Sequence, residues 1–408
     1  MPKLLQINVT ANWGSTGKIA EAIGVAAMAH GWESYIAYGR CCNQSKSQLI
    51  KIGDRWDKYF HFVEQRICDN EGLCSRSATK RLIQQIEEIK PDIVQLHNIH
   101  DHYLNYRILF EYLNQTKIRV VWTFHDFWAI TGHCMHFIST ACARYQSGCH
   151  DCLMRTVYPK AMLDKSARNW ELKRNLFSAN QNLTIVPVSE WVGEQVRKSF
   201  LKDKEICVIP NGIDMEVFKP TVFEDLHSFS KPLRSFFDLT KDKFIIMSVA
   251  SQWKFDKGLD DYKRISDLLK EDEVIVLVGV DENIIRFFPK NIIGIKRINN
   301  PHELAALYTR ADVVTILSSA ETFGLTAIEG FACGTPAVVY NNTAPPSLIT
   351  PETGIVVPDK DYQSVYAAIQ KLKKCPLKDE DCITRARNYF DKNKCFEKYI
   401  ELYERLIK

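Results

Sequence analysis

Short apolar runs alternate with amphipathic stretches of helical period along most of the chain, and this alternation leaves few folds open. An apolar run too short for a buried helix, bounded by turn residues and followed by a helical stretch, reads as a strand that returns through a crossover helix. Repeated, that unit builds a parallel sheet covered on both faces. Runs at 4–9, 34–38, 93–96, 120–123 and 184–188 form one set. Runs at 244–250, 274–279, 292–295, 313–317, 337–339 and 354–357 form a second. Between the sets, residues 210–220 hold Asn211-Gly212 and two prolines, which break the pattern. A chain of 408 residues is also long for one core. The expected architecture is therefore α/β, with two doubly wound Rossmann-like domains facing each other over 1–212 and 213–392. Ligands of such sheets lie outside the carboxyl ends of the strands, which puts the expected site in the cleft between the domains. The last stretch, 393–408, is helical by the spacing of Phe396, Tyr399, Ile400 and Tyr403.

Composition excludes several classes. Apolar residues make up 46% and charged residues 25%, as in ordinary globular chains. A net charge of +4 calls for no polyanion, so nucleic acid is not an expected partner. The longest apolar runs, such as 274–280, are too short to span a bilayer. The N-terminal MPKLLQINV lacks a cleavage pattern. The expected location is cytoplasmic, with any membrane contact peripheral. Thirteen cysteines in a reducing compartment should be mostly free thiols, with Cys207 and Cys333 as small buried residues.

The most informative local stretch runs from Glu321 to Pro336, with Glu321 and Glu329 bracketing ETFGLTAIE. It reads as a strand end, a short loop, and a helix opening near Phe323, Gly324 and Leu325. The unpaired N–H groups and the dipole of a helix N-terminus suit a phosphate or pyrophosphate. Two carboxylates beside an anion site suit hydroxyls attached to that anion, such as those of a sugar and a ribose.

This E-x7-E segment, ending in FACGTP, resembles the retaining glycosyltransferases of family 4. Four more runs carry the resemblance: VIPNGIDMEVFKP (208–220) to the inter-domain crossing, SVASQWKFDKGL (248–259) to the donor-phosphate loop, and LHNIHDHYLN (96–105) with TFHDFWAITGHC (123–134) to the acceptor side of a subgroup that builds bacterial surface polysaccharides. The resemblance implies a GT-B fold in which the helix at 393–408 crosses back onto the first domain. It also implies that Lys257 neutralises the donor diphosphate, that Phe323, Gly324 and Leu325 hold it, that Glu321 grips the sugar and Glu329 the ribose. The family usually has an arginine where Gln252 stands, so either Lys254 supplies the second positive charge or the site uses neutral donors. His125 matches a histidine close to the transferred sugar, with Asp126, His97 and His100 on the acceptor side.

Other features have two readings each. Gly14-Ser15-Thr16-Gly17-Lys18 lacks the spacing of a P-loop, because Asn12 and Ile19 stand where glycine and Ser or Thr are required. It is either a tight strand-to-helix turn or, as the resemblance implies for Gly14 and Gly17, a backbone approach to the donor. Cys134, Cys142, Cys149 and Cys152 either hold a structural zinc or are free or redox-active thiols; only the last pair has Cys-x-x-Cys spacing. The aromatic and basic run Arg55–Phe62 is either a packed helix with a solvated face or a membrane-dipping segment. Asp379-Glu380-Asp381 precedes a helical stretch and is expected to cap it rather than bind a metal.

The expected function is transfer of a sugar from a nucleotide-diphosphate sugar to a hydroxyl of a growing, lipid-linked surface polysaccharide, with retention and without a catalytic metal, so the expected partners are a nucleotide sugar and an oligosaccharide or lipid-linked acceptor. The alternatives are a sugar-nucleotide epimerase of similar architecture and a non-catalytic partner in an assembly complex.

Overall fold

The structure, a computed structural model, describes residues 1–223, 229–253 and 255–408. The chain divides into two compact units, Met1–Asn211 with Asn393–Lys408, and Gly212–Lys392.

The first unit holds seven parallel strands: β1 (Lys3–Asn8), β2 (Glu33–Tyr38), β3 (Gln48–Lys51), β4 (Ile93–Leu96), β5 (Arg119–Phe124), β6 (Leu183–Pro187) and β7 (Glu205–Ile206), in the order β3-β2-β1-β4-β5-β6-β7. Strands β4 and β6 are buried along their whole length, which is why they read as mostly apolar runs without alternation, each broken by one polar residue, Gln95 or Thr184. The helix Lys392–Ile407 lays Cys395, Phe396, Tyr399 and Tyr403 against Leu4, Ile93 and Val121, so the chain end belongs to this core. Two polar residues sit inside the sheet, Gln6 and Gln95, both fully buried. Gln6 donates to the Ala20 carbonyl at 2.8 Å, and Gln95 donates to Thr123 Oγ1 at 2.9 Å.

The second unit holds six parallel strands: β8 (Phe244–Val249), β9 (Glu273–Val278), β10 (Ile292–Ile295), β11 (Val313–Ile316), β12 (Ala337–Tyr340) and β13 (Gly354–Val357), in the order β10-β9-β8-β11-β12-β13. Ile246, Ile275, Leu277, Val313 and Val338 form its core with the buried ring of Tyr262.

Strand order reverses at β1/β4 in the first sheet and at β8/β11 in the second. At such a switch point the two crossover connections leave in opposite directions and open a crevice at the strands' carboxyl ends. In the second sheet β8 and β11 pair only at Ile246–Val313 and Met247–Val314, so they part before their ends.

The helix Arg55–Cys68 differs from a packed helix with a solvated polar face. Only His61 and Gln65 are buried, and its aromatic residues point outward. The helix Asp379–Tyr389 opens on the three acids, where they favour the positive helix end.

Candidate functional site

In the second unit the loops after β8 and β11 are pressed together. Gly258 has φ +73°, and a Cβ there would lie 2.4 Å from the Leu317 carbonyl oxygen, so only glycine permits this approach. The Ser319 N–H donates to the Asp256 carbonyl at 2.9 Å, joining the two loops a second time. Trp253 anchors the first loop by donating from Nε1 to the Val278 carbonyl at 2.9 Å. Lys257 therefore reaches across, with Nζ 2.6 Å from Glu321 Oε1. Burial disfavours the Lys257 ammonium, but the Glu321 carboxylate outweighs it and raises the lysine pKa above its ordinary value. Glu321 is fixed through its backbone: its N–H donates to Thr343 Oγ1 at 3.3 Å and its carbonyl accepts from Ala344 at 3.2 Å. Ser248, Thr315, Ser318 and Thr326 line the hollow beside this pair.

The helix Leu325–Ala332 starts at this hollow. Gly324 precedes it with φ +104°, and no side chain caps it. Its first N–H groups thus lack the partner that a capping side chain provides. Phe323 is buried against Phe390, 6.0 Å between ring centroids, so it presents only backbone to the site. Glu329 accepts from the Tyr308 hydroxyl at 2.7 Å. Burial and the Glu329 charge hold the Tyr308 phenol well above its ordinary pKa, so it stays a donor. Gln252 is exposed, and Lys254 lies outside the described residues.

In the first unit the switch point gathers the loops after β1, β4 and β5. His97 Nε2 lies 3.0 Å from Gln6 Oε1, and His97 Nδ1 lies 3.0 Å from His125 Nε2. Gln6 spends its amide N–H on Ala20, so its oxygen accepts and His97 Nε2 carries the hydrogen. Neutral His97 then accepts at Nδ1 from His125 Nε2–H, which leaves a lone pair on His125 Nδ1. Burial pushes His125 down to about 4 and His97 well below its ordinary value, so both rings are neutral at pH 7. His125 is thereby set to accept from a hydroxyl rather than to donate. His100 Nε2 pairs with Asp126 Oδ2 at 2.9 Å, while Asp126 Oδ1 accepts from the Trp128 N–H at 2.9 Å. Although burial favours the neutral acid, His100 brings Asp126 down to about 2.

The glycine loop divides. A Cβ on Gly17 would lie 2.6 Å from Thr10 Oγ1, so packing within the turn requires this glycine. Gly14 has φ +67° and open space where a Cβ would stand.

The four cysteines share one segment. Cys134 is buried, and its thiol beside Cys152 brings Cys152 down to about 7. Burial pushes Cys149 up to about 11, and its sulfur accepts from the Gly132 N–H at 3.3 Å. Beside them Lys173 is buried, donating to the Trp128 and Thr131 carbonyls at 2.6 and 3.0 Å, with burial lowering its pKa to about 7. Among the described residues no group of three or more His, Cys, Asp or Glu stands in a geometry that could hold a metal ion.

Gln6, Thr343, Tyr308 and Lys173 were not singled out from the sequence. A glutamine inside an otherwise apolar strand is the one signal that was open to reading.

A family model described as glycosyl transferases group 1 matches residues 234–389, and one described as glycosyltransferase family 4 matches residues 26–217. The chain is a glycosyltransferase whose two halves match the family 4 and group 1 models. The group 1 match spans Lys257, Glu321 and Glu329, and the family 4 match spans His97, His125 and the cysteine segment. Among relatives of this glycosyltransferase, a protein of Escherichia coli (strain K12) named for colanic acid biosynthesis glycosyl transfer, WcaC, is 21% identical over 420 residues, covering 99% of this chain and 100% of its own. The Campylobacter jejuni N,N'-diacetylbacillosaminyl-diphospho-undecaprenol alpha-1,3-N-acetylgalactosaminyltransferase is 26% identical over 237 residues, 54% of this chain and 60% of its own. The fold matches that of sucrose-phosphate synthase from Thermosynechococcus elongatus with a TM-score of 0.73 at 16% identity, over 100% of this chain and 99% of the other. It also matches Anabaena Alr3699/HepE in complex with UDP and glucose, with a TM-score of 0.65 at 14% identity, over 99% and 100%. The two parallel-sheet units are thus the GT-B architecture, and the enzyme transfers a sugar from a donor.

Proposed function

We propose that this glycosyltransferase binds a nucleotide-diphosphate sugar at the β8/β11 switch point and passes the sugar, with retention, to a hydroxyl of a growing lipid-linked surface polysaccharide. The observation that carries the reading is the Lys257–Glu321 pair beside the uncapped start of the helix Leu325–Ala332. A cation and a helix N-terminus together hold a diphosphate. Glu321 takes hydroxyls of the sugar, and Glu329, already oriented by Tyr308, takes those of the ribose.

The reaction breaks the bond from the anomeric carbon to the phosphate oxygen and forms one to the acceptor oxygen on the same face. The electron pair goes to the phosphate, which also takes the acceptor proton. Charge builds on the departing diphosphate, so Lys257 and the helix N–H groups contribute most in the transition state. On the acceptor side, His125 Nδ1 accepts from a hydroxyl and so orients it, with His97 fixing the ring and the His100–Asp126 pair bracing the loop. The HepE complex with UDP and the diphospho-undecaprenol in the Campylobacter enzyme's name support the donor and acceptor classes. The epimerase alternative draws no support from the relatives described above, which are named as transferases. Calorimetric titration with nucleoside diphosphates tests the donor site: binding lost in Lys257→Ala supports it, and no binding of any nucleoside diphosphate overturns it.

We infer that Cys134, Cys142, Cys149 and Cys152 are thiols, since among the described residues no three His, Cys, Asp or Glu stand in a geometry that could hold a metal ion.

A further inference from the structure

We propose that the outward face of the helix Arg55–Cys68, joined by the segment around Met162, is a docking surface for an anionic lipid bilayer. Trp56, Tyr59 and Phe60 share one helix face and are 55%, 56% and 65% exposed. They touch mainly each other: ring centroids stand 6.3 Å apart for Trp56–Tyr59, 6.4 Å for Trp56–Phe60 and 5.8 Å for Tyr59–Phe60.

Folding leaves more than half of each of these rings exposed. The helix is held to its unit by polar bonds and by Phe62, whose ring centroid stands 5.5 Å from that of His102. His61 Nδ1 pairs with Ser75 Oγ at 2.8 Å, His61 Nε2 accepts from the Gly72 N–H at 3.1 Å, and Gln65 donates to the Lys160 carbonyl at 3.0 Å. An ordinary surface helix buries its apolar stripe and shows its polar one; this helix does the reverse. The patch continues past the helix end. The Met162 and Leu163 N–H groups donate to the Arg66 and Ile67 carbonyls at 2.8 and 3.1 Å, which fixes two more exposed apolar side chains beside Ile67.

The charges favour an anionic partner. Residues 54–68 and 153–165 hold six Lys or Arg against four Asp or Glu. Each of the four acids already accepts hydrogen bonds within the protein. Asp54 and Asp57 form the helix's capping box, Glu64 takes Asn70, and Asp164 takes the Cys152 and Ser166 N–H groups. Arg55, Arg66 and Lys160 are exposed around the apolar face. Tryptophan and tyrosine favour the level of lipid headgroups, and a basic rim is drawn to anionic ones. A helix of 14 residues is too short to cross a bilayer and suits lying in its plane.

This inference stands apart from the donor chemistry. The test is co-sedimentation of the full chain with vesicles of phosphatidylcholine, with and without phosphatidylglycerol. The wild type should bind the anionic vesicles in preference, and both Trp56→Ser/Phe60→Ser and Arg66→Glu/Lys160→Glu should weaken that binding on the order of tenfold. Phe287→Ser, an equally exposed ring in the other unit at 71%, should leave it unchanged. Nucleoside diphosphate titration of the same samples reads the donor site separately. Absence of vesicle binding by the wild type overturns the proposal, as does binding that survives Trp56→Ser/Phe60→Ser. A dimer in solution that the same substitutions dissolve also overturns it, and assigns the face to a second copy of the chain.

Discussion

Removing Lys257 should cost more than one ion pair, because of what it leaves behind. In the free protein its ammonium sits 2.6 Å from Glu321 Oε1, and both side chains are about a quarter exposed. Lys257→Ala removes a hydrogen bond between charged groups to the diphosphate, worth about 1.5–3 kcal/mol. It also leaves the Glu321 carboxylate facing a polyanion. At a separation of about 5 Å and an effective dielectric of about 20, that repulsion is about 3 kcal/mol per charge. Solvent and salt screen much of it at this exposure. The net loss should be about 3–4 kcal/mol, a hundred- to thousandfold in affinity for a nucleoside diphosphate. Lys257→Ala/Glu321→Gln removes the repulsion, so it should bind the nucleoside diphosphate roughly tenfold more tightly than Lys257→Ala does, although it lacks two site residues. Calorimetry on wild type, both single variants and the double variant gives the coupling. If the double variant binds no better than Lys257→Ala, Glu321 does not face the diphosphate and the assignment of this pair is wrong.

Glu329→Gln keeps an oxygen for the Tyr308 hydroxyl, so the fold should hold while donor affinity falls about tenfold, as expected for losing the charge on one hydrogen bond; unchanged donor titration would remove Glu329 from the site. His125 has a folded pKa of about 4, below its ordinary 6.5, so its neutral form contributes stability above pH 6.5 that is lost as pH falls towards 4. Denaturation midpoints should therefore fall less steeply across that window in His125→Asn than in the wild type, and equal slopes would refute a buried neutral ring. Elemental analysis should find no stoichiometric zinc on the purified chain; about one zinc per chain, lost in Cys152→Ser, would overturn the thiol reading.

The strands were legible where both sheet faces are covered, because burial there leaves an unbroken apolar run, as in residues 274–278 and Ala337–Tyr340. The edge strands Gln48–Lys51 and Glu205–Ile206 were not legible, since the first is mostly exposed and the second is two residues long. The residues of the donor site could be named one by one, but their pairing could not. That Lys257 meets Glu321 depends on Gly258 lying against Leu317, a contact between loops 59 residues apart in sequence (317 minus 258). The Gln6–His97–His125 relay joins three strands and has no local pattern. Lys173 looks in sequence like any helix lysine, and only the structure puts it under the cysteine segment. The aromatic run Arg55–Phe62 was legible as a helix, but which face it buries depended on His61 and Ser75, fourteen residues apart.

Transfer itself is the most direct test. The purified enzyme is incubated with a panel of nucleotide-diphosphate sugars and a lipid-linked or oligosaccharide acceptor, while nucleoside diphosphate release and the anomeric configuration of the product are followed by NMR. One nucleoside diphosphate should be released for each glycoside formed, with the donor's configuration retained, and Lys257→Ala should abolish both signals together. Inverted product would contradict the front-face reaction. Isomerised nucleotide sugar without acceptor, or tight donor binding with no product on any acceptor, would contradict sugar transfer as the function of this site.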